Sequence, residues 1–173
     1  GQDLQRDAFW SILFALAGML VYITVRFEFG FALGAIVALA HDVLITLGIF
    51  TLLDRQVSLT VVACLLTILG YSVNDTIVIF DRIREDMKLD QRTPFKALCN
   101  LSINQTLSRT LLTSLTTLLA TGSLFLFGGG AINDFALCMI IGLVAGVYST
   151  VFIATPVMLA WYKGRRPGMA AAK

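Results

Sequence analysis

Asp75 is the residue of this chain with the clearest chemical potential, because its carboxylate interrupts an otherwise apolar segment. The segment from Leu59 to Phe80 reads LTVVACLLTILGYSVNDTIVIF and is long enough to cross a bilayer. An ionisable group at that depth costs at least about 2.5–3.5 kcal/mol on insertion scales, so it is normally paired or faces a polar cavity. Such groups commonly carry protons or ions across membranes. The segment therefore predicts a proton-relay site at Asp75.

Arg109, just before the apolar segment 111–127, is the partner that the spacing favours for Asp75. At about 1.5 Å per residue, the two Cα atoms differ little in depth, and an arginine side chain can reach across the gap. Two interpretations stay open: a carboxylate that exchanges a proton as the guanidinium moves, or a static buried pair that fixes two helices. Asn74 and Thr113 add polar groups nearby, which favours a polar path over an isolated salt bridge.

His41 and Asp42 form a second polar constellation, near the middle of another apolar segment. A neighbouring imidazole and carboxylate can pass protons between them. Adjacent helix positions diverge by about 100°, so we expect the two side chains to face different neighbours. A relay role and a structural polar anchor are equally compatible with the pattern.

Several other chemistries find no support in the sequence. It contains no P-loop, no HExxH motif and no serine–histidine arrangement typical of hydrolases, so we predict that the chain is not an enzyme. The three cysteines, Cys64, Cys99 and Cys138, show no disulfide framework or metal-ligand spacing. We expect no metal and no organic cofactor, with protons as the coupling ion, and no nucleic-acid partner.

The elements that must position these residues are membrane helices. Of the 173 residues, 57% are hydrophobic and only 14% are charged, which is too apolar for a soluble domain of this size. The fold class predicted is an all-α membrane protein, a bundle of five transmembrane helices in a single domain. The charged segment 81–109 should contain a short interfacial helix that starts at Thr93-Pro94. The expected spans are about 8–25, 31–53, 59–80, 110–127 and 135–161.

The distribution of basic residues predicts the orientation of the bundle. With five spans, Arg6 and Arg55 fall on one side, and the other eleven of the thirteen lysines and arginines fall on the opposite side. The positive-inside rule places the side with eleven in the cytoplasm. We therefore expect residue 1 outside, and residues 81–109 and the C-terminus in the cytoplasm.

Two pairs of glycines are spaced four residues apart within the apolar segments: Gly30 with Gly34, and Gly142 with Gly146. In membrane helices this spacing permits close backbone approach. The spacing indicates a packed bundle, in which each pair either marks a tight helix contact or reflects only the general abundance of glycine in membrane helices.

Four segments of the chain resemble the SecF members of the SecD/SecF protein-export family. The most specific is YSVNDTIVIFDRIRE at 71–85, which contains Asp75. The others are ALAHDVLIT at 38–46, NQTLSRT at 104–110 and Arg26-Phe27-Glu28 at the first turn. Their order along the chain extends the resemblance over essentially its whole length.

The resemblance implies a place in the resistance–nodulation–division superfamily of proton-driven transporters, as half of its pseudo-symmetric core. The chain would correspond to the second to sixth spans, without the family's first span and periplasmic domain. The aspartate and arginine matching Asp75 and Arg109 are implicated in proton passage in this family. The implied partners are SecD, the SecYEG channel with associated insertase subunits, the translocating polypeptide and the lipid of the bacterial inner membrane.

The implied function is an accessory role in Sec protein export, coupling proton flow to polypeptide translocation. The alternative within the same superfamily is a proton-coupled exporter of lipids or small hydrophobic molecules. A third possibility is a scaffold that transports nothing, for which neutral substitutions at Asp75 and Arg109 would be tolerated.

Overall fold

A computed structural model describes residues 2–168, which form six α-helices and no strand. Five helical rods in this part of the chain are long and apolar enough to cross a membrane, the fifth running from Ala131 to Trp161. The prediction of an all-α, five-span membrane bundle is confirmed. The helices are α1 (Gln2–Arg26), α2 (Phe29–Leu52), α3 (Leu59–Leu89), α4 (Phe95–Phe127), α5 (Ala131–Ser149) and α6 (Thr155–Trp161).

The two ends of the bundle differ in charge. The end that holds the α1–α2 turn, the α3–α4 loop and the end of α6 carries most of the arginines and lysines, and we name it the basic end. At the opposite end, Arg55 of the α2–α3 loop donates a hydrogen bond of 2.9 Å to Asp134 at the start of α5. This contact ties the α2–α3 loop to the first turn of α5.

Helices α2, α3 and the α5–α6 rod form the interior, while α1 and α4 pack on its flanks and expose much of their surface. Toward the basic end the core contains fully buried aromatic and aliphatic side chains, among them Phe31, Phe80 and Met158. Toward the opposite end the core is built around Phe50 and Leu65. The flanking positions of α1 and α4 leave their outer faces open to lipid or to another subunit.

The four glycines lie at helix contacts, so the first of the two alternatives for their spacing holds. A Cβ at Gly34 would overlap the carbonyl oxygen of Ala154, so α2 and the α5–α6 rod touch backbone to backbone. Gly30 similarly faces Tyr162, and Gly142 faces Ile68. Gly146 would bring a Cβ to 3.3 Å from the hydroxyl of Ser72.

A π-helical turn, Thr150–Ala154, separates α5 from α6. Pro156 follows it closely and supplies the physical reason, because proline lacks an N–H and its ring collides with the carbonyl four residues earlier. Widening the helix to a π turn relieves that collision. The π-helical turn begins directly after Ser149, so it affects the directions in which the side chains of Ser149 and Thr150 point.

The short interfacial helix predicted before Arg109 is not separate from the fourth span. It forms the first turns of α4, which runs without interruption from Phe95 because no proline or glycine occurs before Gly122. Pro94 holds the N-cap position instead of Thr93. Thr93 lies one residue earlier, where its hydroxyl bonds the carboxylate of Asp90.

The α3–α4 loop is held closed by Arg166, which follows α6. Its guanidinium donates three hydrogen bonds to backbone carbonyls, those of Met87, Asp90 and Thr93, at 3.2, 2.7 and 2.6 Å. The pKa of Asp90 falls to about 2 because the Thr93 side chain and the backbone N–H groups of Thr93 and Arg92 bond its carboxylate. The loop is thus an ordered structure on the basic end.

Candidate functional site

Asp42 of α2 is the centre of a polar cluster in the interior of the bundle. Its side chain is fully buried, and one oxygen, Oδ2, accepts hydrogen bonds from Ser72 of α3 at 2.6 Å and Ser149 of α5 at 2.9 Å. Nearby, the hydroxyls of Thr76 and Thr150 lie 3.3 Å apart and link α3 to the π turn. The cluster therefore joins the three inner helices through polar contacts.

His41 and Asp42 contact each other, contrary to the expectation that their side chains would face different neighbours. The imidazole Nδ1 lies 3.1 Å from Asp42 Oδ1, and the histidine side chain remains 27% exposed. The Cβ directions do diverge, but the ring is long enough to fold back onto the adjacent carboxylate. The result is a connection from the bundle surface to the buried Asp42.

Asp75 is buried but lacks the partners that Asp42 has. Only 7% of the residue is exposed, yet no side chain in the described residues donates a hydrogen bond to its carboxylate. Arg109 is not within ion-pair distance, although its positive charge acts on the carboxylate through space. The predicted contact between Asp75 and Arg109 is therefore electrostatic and indirect in this structure.

The register of α3 against α4 explains this arrangement. It sets Asp75 level with Thr113, and it places Arg109 about one turn, or about 6 Å, nearer the basic end. That distance is within the length of an extended arginine side chain. Three side-chain contacts define the register: Asp86 with Ser102 at 2.7 Å, Arg82 with Gln105 at 2.6 Å, and Tyr71 with Thr117 at 3.3 Å.

The remaining candidate residues lie on the surface of the bundle. Arg109, Asn74 and Thr113 are all exposed. The Thr113 hydroxyl bonds the backbone carbonyls of its own helix, those of Arg109 and Thr110, at 3.0 and 3.1 Å. The structure thus separates two buried candidates, Asp42 and Asp75, from three exposed ones. The exposed residues are Asn74 of α3 and Arg109 and Thr113 of α4.

Thr76, Ser149 and Thr150 are polar residues of the cluster that were not predicted from the sequence. Ser149 lies 107 positions from Asp42 in the chain, so no local pattern joins them. The available signal was its place three residues after Gly146, on a helix whose glycine spacing permits close contact. In the portion of the chain that the structure describes, no group of three or more histidine, cysteine or acidic side chains is placed to hold a metal ion.

The sequence of this chain matches a known protein family over nearly its whole length. The family described as "Protein export membrane protein SecD/SecF, C-terminal" matches residues 1–164. The chain is 53% identical over 161 residues to the protein translocase subunit SecF of Thermodesulfovibrio yellowstonii, covering 92% of this chain and 54% of the relative. It is 52% identical over 164 residues to the SecF subunit of Rhodothermus marinus, covering 91% and 53%.

A solved structure shows the same fold. The crystal structure of SecDF, a translocon-associated membrane protein from Thermus thermophilus, matches with a TM-score of 0.88 and 45% identity over 92% of this chain and 22% of that chain. The chain spans about half the length of the SecF relatives that it matches. With a family match over nearly all of its residues and relatives above 50% identity, the chain belongs to the SecD/SecF family of protein export membrane proteins.

Proposed function

We propose that the chain is membrane-embedded machinery of an accessory subunit in Sec protein export. Relatives at about half identity are named protein translocase subunit SecF, and a further relative of 45% identity is named SecDF. These names support a translocase subunit and offer no support for the alternative of a lipid or small-molecule exporter. We propose that the chain catalyses no covalent chemistry, needs no cofactor, and uses protons as its coupling ion.

We propose a bacterial inner-membrane location, in which the charge distribution supports an orientation with the basic end in the cytoplasm. Eleven of the thirteen basic residues are Arg26, the six of segment 81–109 and the four after α6. In this orientation residue 1 is outside, and the α3–α4 loop and Arg166 are cytoplasmic. Asp75 then lies in the cytoplasmic half of its span.

Asp75 is the proposed proton carrier, and its isolation among the described side chains is the observation on which this proposal rests. A buried carboxylate that no donor holds in its charged form can exchange a proton when a nearby positive charge moves. Arg109 is such a charge: it is exposed, close in depth and not fixed to Asp75 by a contact. Asp42, by contrast, is held by two serines and a histidine, which favours an anchoring role.

The energy available to such a relay is sufficient for a conformational switch. A proton crossing about 100 mV releases about 2.3 kcal/mol, before any pH gradient is added. That free energy shifts a two-state equilibrium about fifty-fold. We propose that protonation of Asp75 weakens its attraction to Arg109 and allows α3 and α4 to rearrange.

An exposed stripe on α3 supports SecD as the partner that completes this site. The stripe follows helical spacing and carries only small or polar residues, and a Cβ at Gly70 would meet no atom within 4 Å. Small residues let a second helix approach closely in lipid. We propose that SecD packs here beside Asp75, and that SecYEG, its insertase subunits and the translocating polypeptide engage the assembled pair. The stripe consists of Ala63, Thr67, Gly70 and Asn74.

The decisive experiment replaces Asp75→Asn in the full-length subunit paired with SecD. We expect proton-dependent export into inverted membrane vesicles to fall to the rate measured without the subunit, because asparagine cannot carry the proton. Asp81→Asn is the matched control, since that carboxylate lies six residues along α3, is half exposed and pairs with Arg26 at 3.4 Å. Normal export by the Asp75 variant, at normal protein levels, would show that the carboxylate is structural.

A further inference from the structure

A long apolar groove lies between α4 and the α5–α6 rod. Its volume is about 1190 Å³, larger than the about 300–1,000 Å³ typical of small-molecule sites. Exposed apolar side chains flank it on both helices, including Leu115 at 52% and Phe152 at 63% exposure. In a membrane-spanning bundle this opening faces lipid, so its natural occupants are apolar chains.

The α4 wall of the groove changes from polar to apolar along its length. At the basic end, Lys96, Asn100 and Asn104 occupy three successive turns of one face, spaced four residues apart. Beyond Asn104, the residues of α4 that line the groove are leucines apart from Ser114. The apolar part covers the twelve residues 107–118, which rise about 17 Å along the helix, close to the about 15 Å thickness of one leaflet's hydrocarbon. Its members are Leu107, Leu111, Leu115 and Leu118.

Two hydroxyls in the groove lack partners. The side chains of Ser114 on α4 and Thr155 on α6 both line the groove and are more than nine-tenths buried. Neither oxygen has a hydrogen-bond partner within the part of the chain that the structure describes. Thr155 lies about 9 Å along the helix from the interfacial Trp161, below the level at which headgroups sit. A ligand with hydrogen-bond acceptors below its charged group would supply a partner for Thr155, whereas Ser114 lies among the leucines, about 15 Å along α4 from Asn104.

We propose that this groove binds one anionic phospholipid from the leaflet at the basic end. Lys96 pairs with its phosphate, and Asn100 and Asn104 donate amide hydrogens to the phosphate oxygens. The ester carbonyls lie at the depth where Thr155 offers its hydroxyl, and an acyl chain follows the leucines. The α4 wall is thus polar at the basic end and mainly apolar beyond it, as a phospholipid is polar at its headgroup and apolar along its acyl chains.

A partner helix fits the groove less well than a lipid. Helices that pack in membranes meet through small residues, as at Gly34, whereas most of the apolar lining here is leucine, valine and aromatic side chains. An apolar helix in the groove would also leave Lys96, at the basic end, without a negatively charged partner. The groove and the small-residue stripe of α3 are therefore suited to different neighbours.

Native mass spectrometry of the full-length subunit in complex with SecD tests the proposal, with phosphatidylglycerol and phosphatidylethanolamine added separately. We expect one retained phosphatidylglycerol per complex, and weaker retention of phosphatidylethanolamine. Lys96→Glu should weaken phosphatidylglycerol binding about fivefold or more, because it reverses a charge worth about 1 kcal/mol at a membrane surface. Lys88→Glu is the matched control, an exposed lysine of α3 that does not line the groove.

A second pair of variants tests the groove without altering charge. Leu111→Trp should fill it and reduce lipid retention, whereas Leu119→Trp, exposed on α4 but outside the groove, should not. Equal binding by the Lys96 and Lys88 variants, or unchanged retention in Leu111→Trp, would overturn the proposal. Lipid bound to the isolated subunit but absent from the SecD complex would also overturn it and make the groove a subunit interface.

Discussion

Two carboxylates in one bundle lie in opposite environments, and this difference separates their roles. Asp42 is fully buried and receives hydrogen bonds from Ser72, Ser149 and His41. Asp75 is almost as deeply buried, but the described side chains give it no donor. A satisfied carboxylate stabilises a fold, whereas an unsatisfied one can respond to a moving charge. We therefore propose an anchoring role for the cluster at Asp42 and a proton-responsive role for Asp75.

We predict that Ser149→Ala destabilises the bundle by about 1–3 kcal/mol, because it removes one of two hydroxyl donors to a buried carboxylate. Ser123→Ala is the matched control, since that exposed hydroxyl bonds only a carbonyl of its own helix, at 2.8 Å from Ala120. Thermal unfolding in detergent measures the difference. Equal midpoints for the two variants would mean that Ser149 does not support Asp42.

The sequence revealed the chemistry of individual residues better than their contacts. Asp75, Arg109, His41 and Asp42 were identifiable because charge in an apolar segment is costly. The hydrogen bond from Ser149 was not, since it depends on which helices become neighbours after α5 and α2 pack. The His41–Asp42 contact does not follow from Cβ directions, because the imidazole ring is long enough to fold back onto the adjacent carboxylate.

At the scale of helices, hydropathy located the spans but not the ends of the helices. The apolar segments end near Phe80 and begin again near Leu111, while α3 continues to Leu89 and α4 already begins at Phe95. Hydropathy reports where lipid meets water, and a helix ends only where its backbone is interrupted or capped. Pro94 supplies that interruption between α3 and α4.

Two glycines give contrasting predictions, because Gly34 lies at a helix contact and Gly70 faces open space. Gly34→Leu should destabilise the bundle by about 1–3 kcal/mol or more, because the new side chain meets the backbone of Ala154. Gly70→Leu should leave stability unchanged, since the space beside Gly70 is open. It should instead reduce co-purification of SecD with the full-length subunit.

Unfolding in detergent and affinity co-purification separate these two effects. Comparable destabilisation by both substitutions would mean that the α3 stripe is covered within the subunit. Undiminished recovery of SecD with the Gly70 variant would place the partner on another face.

Across the whole molecule, the five-span bundle follows directly from composition, whereas the arrangement of the helices does not. Apolar content and segment length predict how many helices cross a membrane. They do not predict which helices form the interior, because all five are similarly apolar. In this bundle α2, α3 and the α5–α6 rod lie inside, and α1 and α4 lie outside. In lipid, helix order depends on small residues and polar contacts, which are few and distant in the chain.

Arg166 connects the segment after α6 to the α3–α4 loop, and we predict that Arg166→Ala loosens that loop. Loss of hydrogen bonds from a charged donor, each worth about 1.5–3 kcal/mol, should raise trypsin cleavage at Lys88 and Arg92 about tenfold or more. Arg165→Ala is the neighbouring control, because Arg165 is exposed. Identical digestion of both variants would argue against a closing role for Arg166.

The contacts of Arg166 also have a consequence for the order of events during synthesis. Thr93, whose carbonyl it binds, is made 73 residues earlier, which at about 5–20 residues per second corresponds to about 4–15 s. Throughout that interval the carbonyls at the end of α3 lack the Arg166 guanidinium, and α4 itself is completed only about halfway through it. The loop therefore acquires its three Arg166 contacts only after the whole of the fifth span has been made.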